Sequence, residues 1–401
     1  DDRKSLIDNE AKEKKLTPNV CWAGFNLINS ILGTGMIDYS MILLIKGGSM
    51  SGTNTYQSLV SKTFGFPGYF LLSVLQFLYP FAAMISYNIV TGDILPKIIQ
   101  RIPGVSRLDY CNSLLIGLPL QRLSLLQSIM NTAARLIQVS LLSLLLTFTV
   151  LVIIIVRATS LTSEIPHTED AWDFARSNAM QAVGVMSFVF MCHHACFLIY
   201  GSLEKATVGN WSRITHVSML LSLFISLQYS VFGYVSFTGF TQGDLFENYC
   251  REDNLATIGR FCYAITIILT YPMECFVARE VISNVFFGGN LPYPLHLAVT
   301  VAIVSLTTAV SLVYDCLGMF LELNGVLSAT PLVFIIPPAC YLKQSEKPWY
   351  HLDNAMPLLI LLLGVVIMPA GFIMAILYPQ ECSHGNEMFY CLSANSTLNM
   401  T

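Results

Sequence analysis

The sequence predicts an all-α bundle of membrane-spanning helices, and three observations carry that prediction. Hydrophobic residues make up 54% of the 401 and charged residues only 11%, about half the charge of an ordinary soluble domain, and the mean hydropathy is +0.61. The apolar residues gather in runs of about 20, the length that crosses a bilayer as a helix. The connectors between runs are short, which leaves no room for a sizeable soluble domain. The composition therefore implies an integral, multi-pass protein whose solvent is the lipid bilayer. A net charge of -4 and the lack of a long basic run argue against nucleic acid as a partner.

Residues 1–18 are too polar for the apolar core of a signal peptide. They carry Arg3, Lys4, Lys12, Lys14 and Lys15, and a basic flank before a first span is held in the cytosol. The first apolar stretch, Asn19 to Ile37, places Asn26, Asn29 or Ser30, and Gly33 three to four residues apart, on one face of a helix. Gly33-Thr34-Gly35 then makes a poor helix interior. A break there leaves N–H and C=O groups without water in hydrocarbon, so it is expected only beside a cavity or bound solute. Broken helices of this kind point freed amides at a carboxylate and freed oxygens at Na⁺. The same spacing also suits a small-residue face packed on a neighbouring helix.

DYSMILLIKGG and the polar connector GSMSGTNTYQSLVSKT follow. Nine further runs are Phe66–Ile94, Leu114–Met130, Leu136–Val156, Asn178–Tyr200, Val217–Phe237, Ile258–Val281, Leu295–Val313, Leu317–Tyr341 and Ala355–Leu377. Residues 19–378 thus form one transmembrane domain, and residues 379–401 a tail. The tail holds the sequons at Asn395 and Asn399 with Cys382 and Cys391, features of the oxidising outside or a lumen. The acidic connector from Thr238 to Ala256, with Cys250, agrees with an outside tail, as do Lys343 and Lys347 one span earlier. Cys250, Cys382 and Cys391 allow one disulfide with one thiol left over. With both ends so placed, the first apolar region must cross twice, yet Asn19 to Ile45 offers about 27 residues where two crossings need about 40.

Within the runs, Thr266, Thr270 and Glu274 recur at every fourth residue beside Pro272, so two hydroxyls and a carboxylate share a helix face. Hydroxyls and freed carbonyls supply the oxygens that hard Na⁺ needs. A hydroxyl bonded back to its own helix is the plainer reading. His193 and His194 sit inside a run, where ionisable groups are functional candidates and a histidine could exchange a proton near neutral pH. A neutral ring bonded to a neighbouring carbonyl is the alternative. On a continuous helix the two rings point about 100° apart, so only one should face the interior. Asp315, Glu322 and Asn324 lie near run ends, where snorkelling leaves them no assigned role. The eleven cysteines show no metal-ligand spacing, and the spans hold neither HExxH nor a Ser/His/Asp constellation, so neither a cofactor nor an enzyme activity is expected.

FNLINSILGTGM, LLIKGGSMSGTNTYQSLVSKTFGFPGYFLLSVLQFLYPFAAMISYNIVTGDIL, SFVFMCHHACFLIYGSLE, FTGFTQGDLFENYC and LTYPMECFVARE resemble the sodium-coupled neutral amino acid transporter family, within the amino acid/auxin permease group. The resemblance implies a permease-like bundle with inverted repeats and sodium-dependent transport of small neutral amino acids, with exchange against H⁺ left open. It prefers the plasma membrane over the lysosome. It also implies substrate contacts at Asn29, Ser30, Gly33, Thr34, Gly35, Ser187, Phe188 and Phe190, sodium contacts at Asn29, Thr266 and Thr270, and proton sensitivity at His193 or His194. Two departures stand out. Ile37 runs straight into Asp38 where the family has a second half-helix and most of another span, so the first-repeat helices are incomplete. The run from Leu114 holds Gln121, Arg122 and Gln127 where the family is mostly apolar. An amino acid sensor and a non-transporting variant of the family are the competing readings. Asp38 would stand near the carboxylate of a bound substrate and repel it.

Overall fold

The computed structural model describes residues 33–101, 133–162, 165–166, 168, 179–289, 291–314, 316–378 and 388–391. Its helices are α1 (residues 33–51), α2 (Tyr56–Ile99), α3 (Ala133–Leu161), α4 (Ala179–Val189), α5 (Cys196–Gly201), α6 (Val208–Phe237), α7 (Asn254–Phe287), α8 (Tyr293–Val313), α9 (Leu317–Asn324), α10 (Ile336–Gln344) and α11 (Leu352–Leu377). Among the described residues there is no strand, and 8 helical segments are long and apolar enough to cross a membrane. They coincide with eight of the nine later runs; the ninth, Leu114–Met130, lies outside the described residues.

Lipid-facing stripes follow the helical period. Val217, Leu220, Leu221 and Phe224 on α6, and Leu359, Leu362, Val365 and Val366 on α11, are all exposed. That spacing puts each set on one face. At the centre, α2 packs against α7, α8 and α9, while α4 packs against α11 and the segment after α9. Side-chain caps set several starts: Thr55 and Ser58 form a capping box at α2, and Thr207 and Asp253 cap α6 and α7, each satisfying amides that the helix leaves free.

The connector before α2 is more structured than its polarity predicts. Helix begins at Tyr56 and bends at Gly65 (φ 69, ψ -160) ahead of Pro67. A positive φ is cheap only for glycine, so Gly65 is the joint between a short helix and the span proper.

Gly33, Thr34 and Gly35 all lie in α1, whose described part starts at Gly33 and runs on through Ile37 and Asp38 to residue 51; the stretch before Gly33, from which the expected break would part them, lies outside the described residues. Two helical glycines cost about 1 kcal/mol each, less than the several kcal/mol of leaving a backbone group unbonded in hydrocarbon. Besides the bend at Gly65, the described residues depart from α-helix within a span between α4 and α5 and between α9 and α10.

Between α9 and α10 two π turns, Gly325–Ala329 and Pro331–Ile335, replace α-helix. Pro337 and Pro338 lack the N–H groups that the carbonyls of Leu332 and Val333 would otherwise accept. Side chains from the neighbouring helices fill that gap: the Tyr56 hydroxyl donates to Leu332 O at 2.9 Å, and Ser40 Oγ donates to Val333 O. Tyr56→Phe removes one donor and leaves a buried carbonyl orphaned, so it should lower stability by about 1–3 kcal/mol. The thermal unfolding midpoint of the purified protein checks this, and an unchanged midpoint would count against it.

One end of the bundle is capped by the connector between α6 and α7. Cys250 and Cys391 form a disulfide that ties this connector to the tail, as allowed by the sequence. Cys316, between the runs Leu295–Val313 and Leu317–Tyr341, is also disulfide-bonded, a bridge the sequence reading did not include. Lys97 of α2 pairs with Glu247 at 2.6 Å, and Arg157 of α3 pairs with Asp253. Arg260, fully buried, donates to the carbonyls of Phe246, Tyr249 and Cys250 at 3.0, 2.7 and 3.3 Å.

Asp244 Oδ1 accepts the Phe246 amide at 2.9 Å, while its Oδ2 is buried with no partner among the described residues. Burial raises this carboxyl from 3.8 to about 7, with Glu247 and Asp93 adding to the rise and the Phe246 amide and Lys97 opposing it. Between those two values the folded chain keeps a proton that the unfolded chain has released, so stability falls as pH rises through the window. Asp244→Asn should flatten that fall, on the order of 2–4 kcal/mol, in unfolding midpoints measured from about pH 4 to about pH 8. An equally steep fall in the variant would contradict the assignment.

Candidate functional site

The span that carries the histidine pair is discontinuous. α4 ends at Val189, Met191 and Cys192 are non-helical, and His193–Ala195 form a single 3-10 turn before α5. The helix is not continuous as expected; after the break His193 is fully buried and His194 is half-buried. The break is tolerated because its backbone groups find partners: Ala195 N donates to Cys192 O at 3.0 Å, and the Tyr79 hydroxyl donates to Phe188 O at 3.3 Å.

His193 is fully buried and its Nε2 lies 3.2 Å from Ser40 Oγ. Ser40 spends its proton on Val333 O, so it accepts from Nε2–H, which assigns the tautomer with a bare Nδ1. That Nδ1 has no partner among the described residues, and neither does His194 Nδ1. The His194 ring lies 5.9 Å from Tyr79, whose other neighbour is the Phe188 ring at 5.3 Å. On α7, Glu274 is within electrostatic reach of the Tyr79 and Tyr87 hydroxyls, and its Oε2 is buried without a partner among the described residues. Asn324 of α9 closes the other side, donating from Nδ2 to Tyr79 O at 3.0 Å.

α1 is fastened to this break. Asp38 pairs with His216 Nδ1 on α6, Trp211 Nε1 donates to Met41 O at 3.3 Å, and Cys192 Sγ meets Met41 Sδ at 3.1 Å. Asp38 Oδ2 therefore has a partner, while its Oδ1 is buried with none among the described residues.

The remaining expected residues divide. Thr266 and Thr270 hydroxyls donate to their own helix, to Cys262 O at 3.1 Å and to Thr266 O and Ile267 O at 3.0 and 3.2 Å, the plainer of the two readings. Ser187 likewise donates to Val183 O at 2.7 Å, and Phe190 is packed in the core. Phe188 lines the break. Thr34 is buried in α1, where Gly33 is partly covered and Gly35 exposed. Asn29, Ser30, Asn395 and Asn399 lie outside the described residues, as do Asn26, Asp315 and Cys382. Glu322 and Asn324, read as interfacial, are instead 2% and 4% exposed; the π turns that follow draw this stretch into the centre. Tyr79, Ser40 and His216 were missed: His216 stands one residue before the run from Val217, and Ser40 and Tyr79 carry only hydroxyls. A cleft of about 520 Å³ lined by Gly48, Thr53, Phe197 and Tyr200 opens beside α5; it holds none of the ionisable groups at the break.

A multi-pass helix bundle with one span broken around buried polar groups is the build of a membrane solute transporter. Residues 27–377 match the family described as transmembrane amino acid transporter protein, and the chain belongs to that family. It is 58% identical over 403 residues to "Putative sodium-coupled neutral amino acid transporter 11" of Macaca fascicularis, covering 100% of this chain and 88% of the relative. The proteins of that name from Bos taurus and Homo sapiens are 56% identical over 425 residues (99% and 92% covered) and 60% identical over 366 residues (91% and 90% covered). The bovine alignment is longer than this chain by roughly one membrane span, whereas the macaque alignment runs to nearly the chain's own length.

Proposed function

We propose that this chain carries out sodium-dependent secondary transport of small neutral amino acids. The observation that carries the reading is the break between α4 and α5, where Tyr79, Phe188, His193, His194 and Glu274 gather at the bundle interior. Family membership and the names of the relatives support the substrate class and the coupling ion. Asn29, Thr266 and Thr270 are the sodium contacts in this reading; the two threonines turn their hydroxyls from the helix backbone to the ion when it binds. His194 would carry any proton exchanged for sodium. The disulfide between Cys250 and Cys391 supports placing the acidic connector and the tail outside or in a lumen.

Uptake of radiolabelled neutral amino acids into reconstituted vesicles, with Na⁺ replaced by choline, tests the proposal. Thr270→Ala should weaken the Na⁺ dependence severalfold while leaving the amount of folded protein unchanged, because one backbone-bonded hydroxyl contributes only about 1 kcal/mol to stability. Uptake indifferent to Na⁺ in the wild type, or identical Na⁺ activation in the variant, would reject the sodium assignment.

A further inference from the structure

We propose that the corner where Lys343 of α10 lies over Phe64 of α2 binds the headgroup of an anionic phospholipid of the cytosolic leaflet, with the acyl chains running down the exposed face of α2 from Phe66 to Leu78.

In the proposed orientation this corner faces the cytosol. Lys97, at the far end of α2, pairs with Glu247 of the connector held by the Cys250–Cys391 disulfide, so the Phe64 end lies at the opposite face. The cytosolic leaflet carries the anionic lipids and attracts basic side chains. The Lys343 ammonium stands 4.7 Å from the centre of the Phe64 ring, within cation–π range, and Gln344 Nε2 donates to Thr63 Oγ1 at 3.0 Å. Both contacts hold the end of α10 against the short helix that precedes Gly65. Lys343 and Lys62 are exposed and have no carboxylate partner among the described residues, while Lys347 is paired with Asp353. Against the two free lysines stands Glu346, exposed three residues past Lys343, which leaves the corner net positive.

The surface below the corner is what selects a lipid over a free phosphate. The bend at Gly65 packs Phe64 on the first turn of the span, with its Cβ 2.5 Å from where a Cβ on Gly68 would stand. The aromatic floor under Lys343 therefore adjoins the head of the span. Phe66, Phe70, Leu71, Val74 and Leu78 follow, all exposed, at the spacing of one helix face. A cation heading an apolar stripe matches a molecule with a phosphate at one end and hydrocarbon at the other. The exposed stripe of α11, by contrast, follows a lysine that Asp353 already neutralises.

The test is the thermal unfolding midpoint of the full chain purified in detergent, titrated with phosphatidylserine, phosphatidylcholine or inorganic phosphate. Phosphatidylserine should raise the midpoint, because it bridges α10 and the start of α2, and the other two should not. Lys343→Gln should weaken the apparent affinity for phosphatidylserine about fivefold, the factor for one basic side chain at an anionic surface. Lys347→Gln should leave it unchanged. If Lys343→Gln does not fold, the double variant Phe66→Ala, Phe70→Ala serves: its shortened stripe should weaken binding severalfold, and unchanged affinity overturns the site. Phosphatidylserine without effect on the wild type overturns it, as does an equal rise with phosphatidylcholine or an undiminished response in Lys343→Gln. A loss in Lys347→Gln as large as in Lys343→Gln also overturns it, because binding is then spread over surface charge. A rise with inorganic phosphate as large as that with phosphatidylserine rejects the lipid as the occupant.

Discussion

Gly325→Val is expected to abolish the folded protein. Where the first π turn crosses α4, the backbones touch: a Cβ placed on Gly325 would stand 2.1 Å from Gly184 O, 2.3 Å from Gly184 C and 2.9 Å from Val185 N. These are main-chain atoms of a buried helix, so no side-chain rotation relieves the overlap. Gly184 faces the same constraint, with Val326 Cγ2 at 2.5 Å. Small residues at helix crossings let backbones approach this closely in membranes, where packing replaces the hydrophobic drive. Overpacking a core costs about 1–3 kcal/mol and more where backbone must move, so even Gly325→Ala should cost more than about 3 kcal/mol. The matched control is Gly209→Ala on α6, where nothing lies within 4 Å of an added Cβ. Fluorescence-detected size exclusion should show a monodisperse peak for Gly209→Ala and none for Gly325→Val. A well-folded Gly325→Val would mean that α4 and the π turn are not held in contact.

Restoring about one span of family-like sequence after Ile37 is expected to raise sodium-driven uptake by tenfold or more over the chain as it stands. A carboxylate site in such a bundle uses the positive end of a half-helix that follows a break, worth up to about 2 kcal/mol in partly buried geometry. α1 is helical from Gly33 on past Asp38, so no second half-helix begins between those glycines and the core contacts. The insertion point is compatible with the rest of the bundle. The contacts that fasten α1 to the core, Asp38 to His216, Ser40 to Val333 and His193, and Met41 to Trp211, all lie after Ile37. They remain available in the lengthened chain. Equal uptake by the two forms would show that α1 as it stands suffices, and the macaque alignment adds no span's length, running to 403 residues over 100% of this chain and 88% of that relative.

The spans and their lipid faces were legible in the sequence because both depend on local quantities. A run of about 20 apolar residues has one stable solution in a bilayer, a helix that satisfies its own backbone, and the exposed Val217, Leu220, Leu221 and Phe224 repeat at the helical period. His193 and His194 were legible for the same reason, as ionisable groups in hydrocarbon. Where each helix breaks was not local. The break at Met191–Cys192 carries no glycine or proline to announce it, and the Phe188 carbonyl beside it is bonded by the Tyr79 hydroxyl, 109 residues away. Pro337 and Pro338 announce orphaned carbonyls, but only the packing of α1 and α2 decides that Ser40 and Tyr56 satisfy them. Glu322 and Asn324 read as interfacial by their position in a run, and the π turns carry them into the core. The sequence by itself determined how many groups must be kept from lipid and water; which partner each one meets was decided by contacts between helices distant in the chain, because a buried carbonyl freed by a proline or a break is satisfied only by a side chain that packing brings to it.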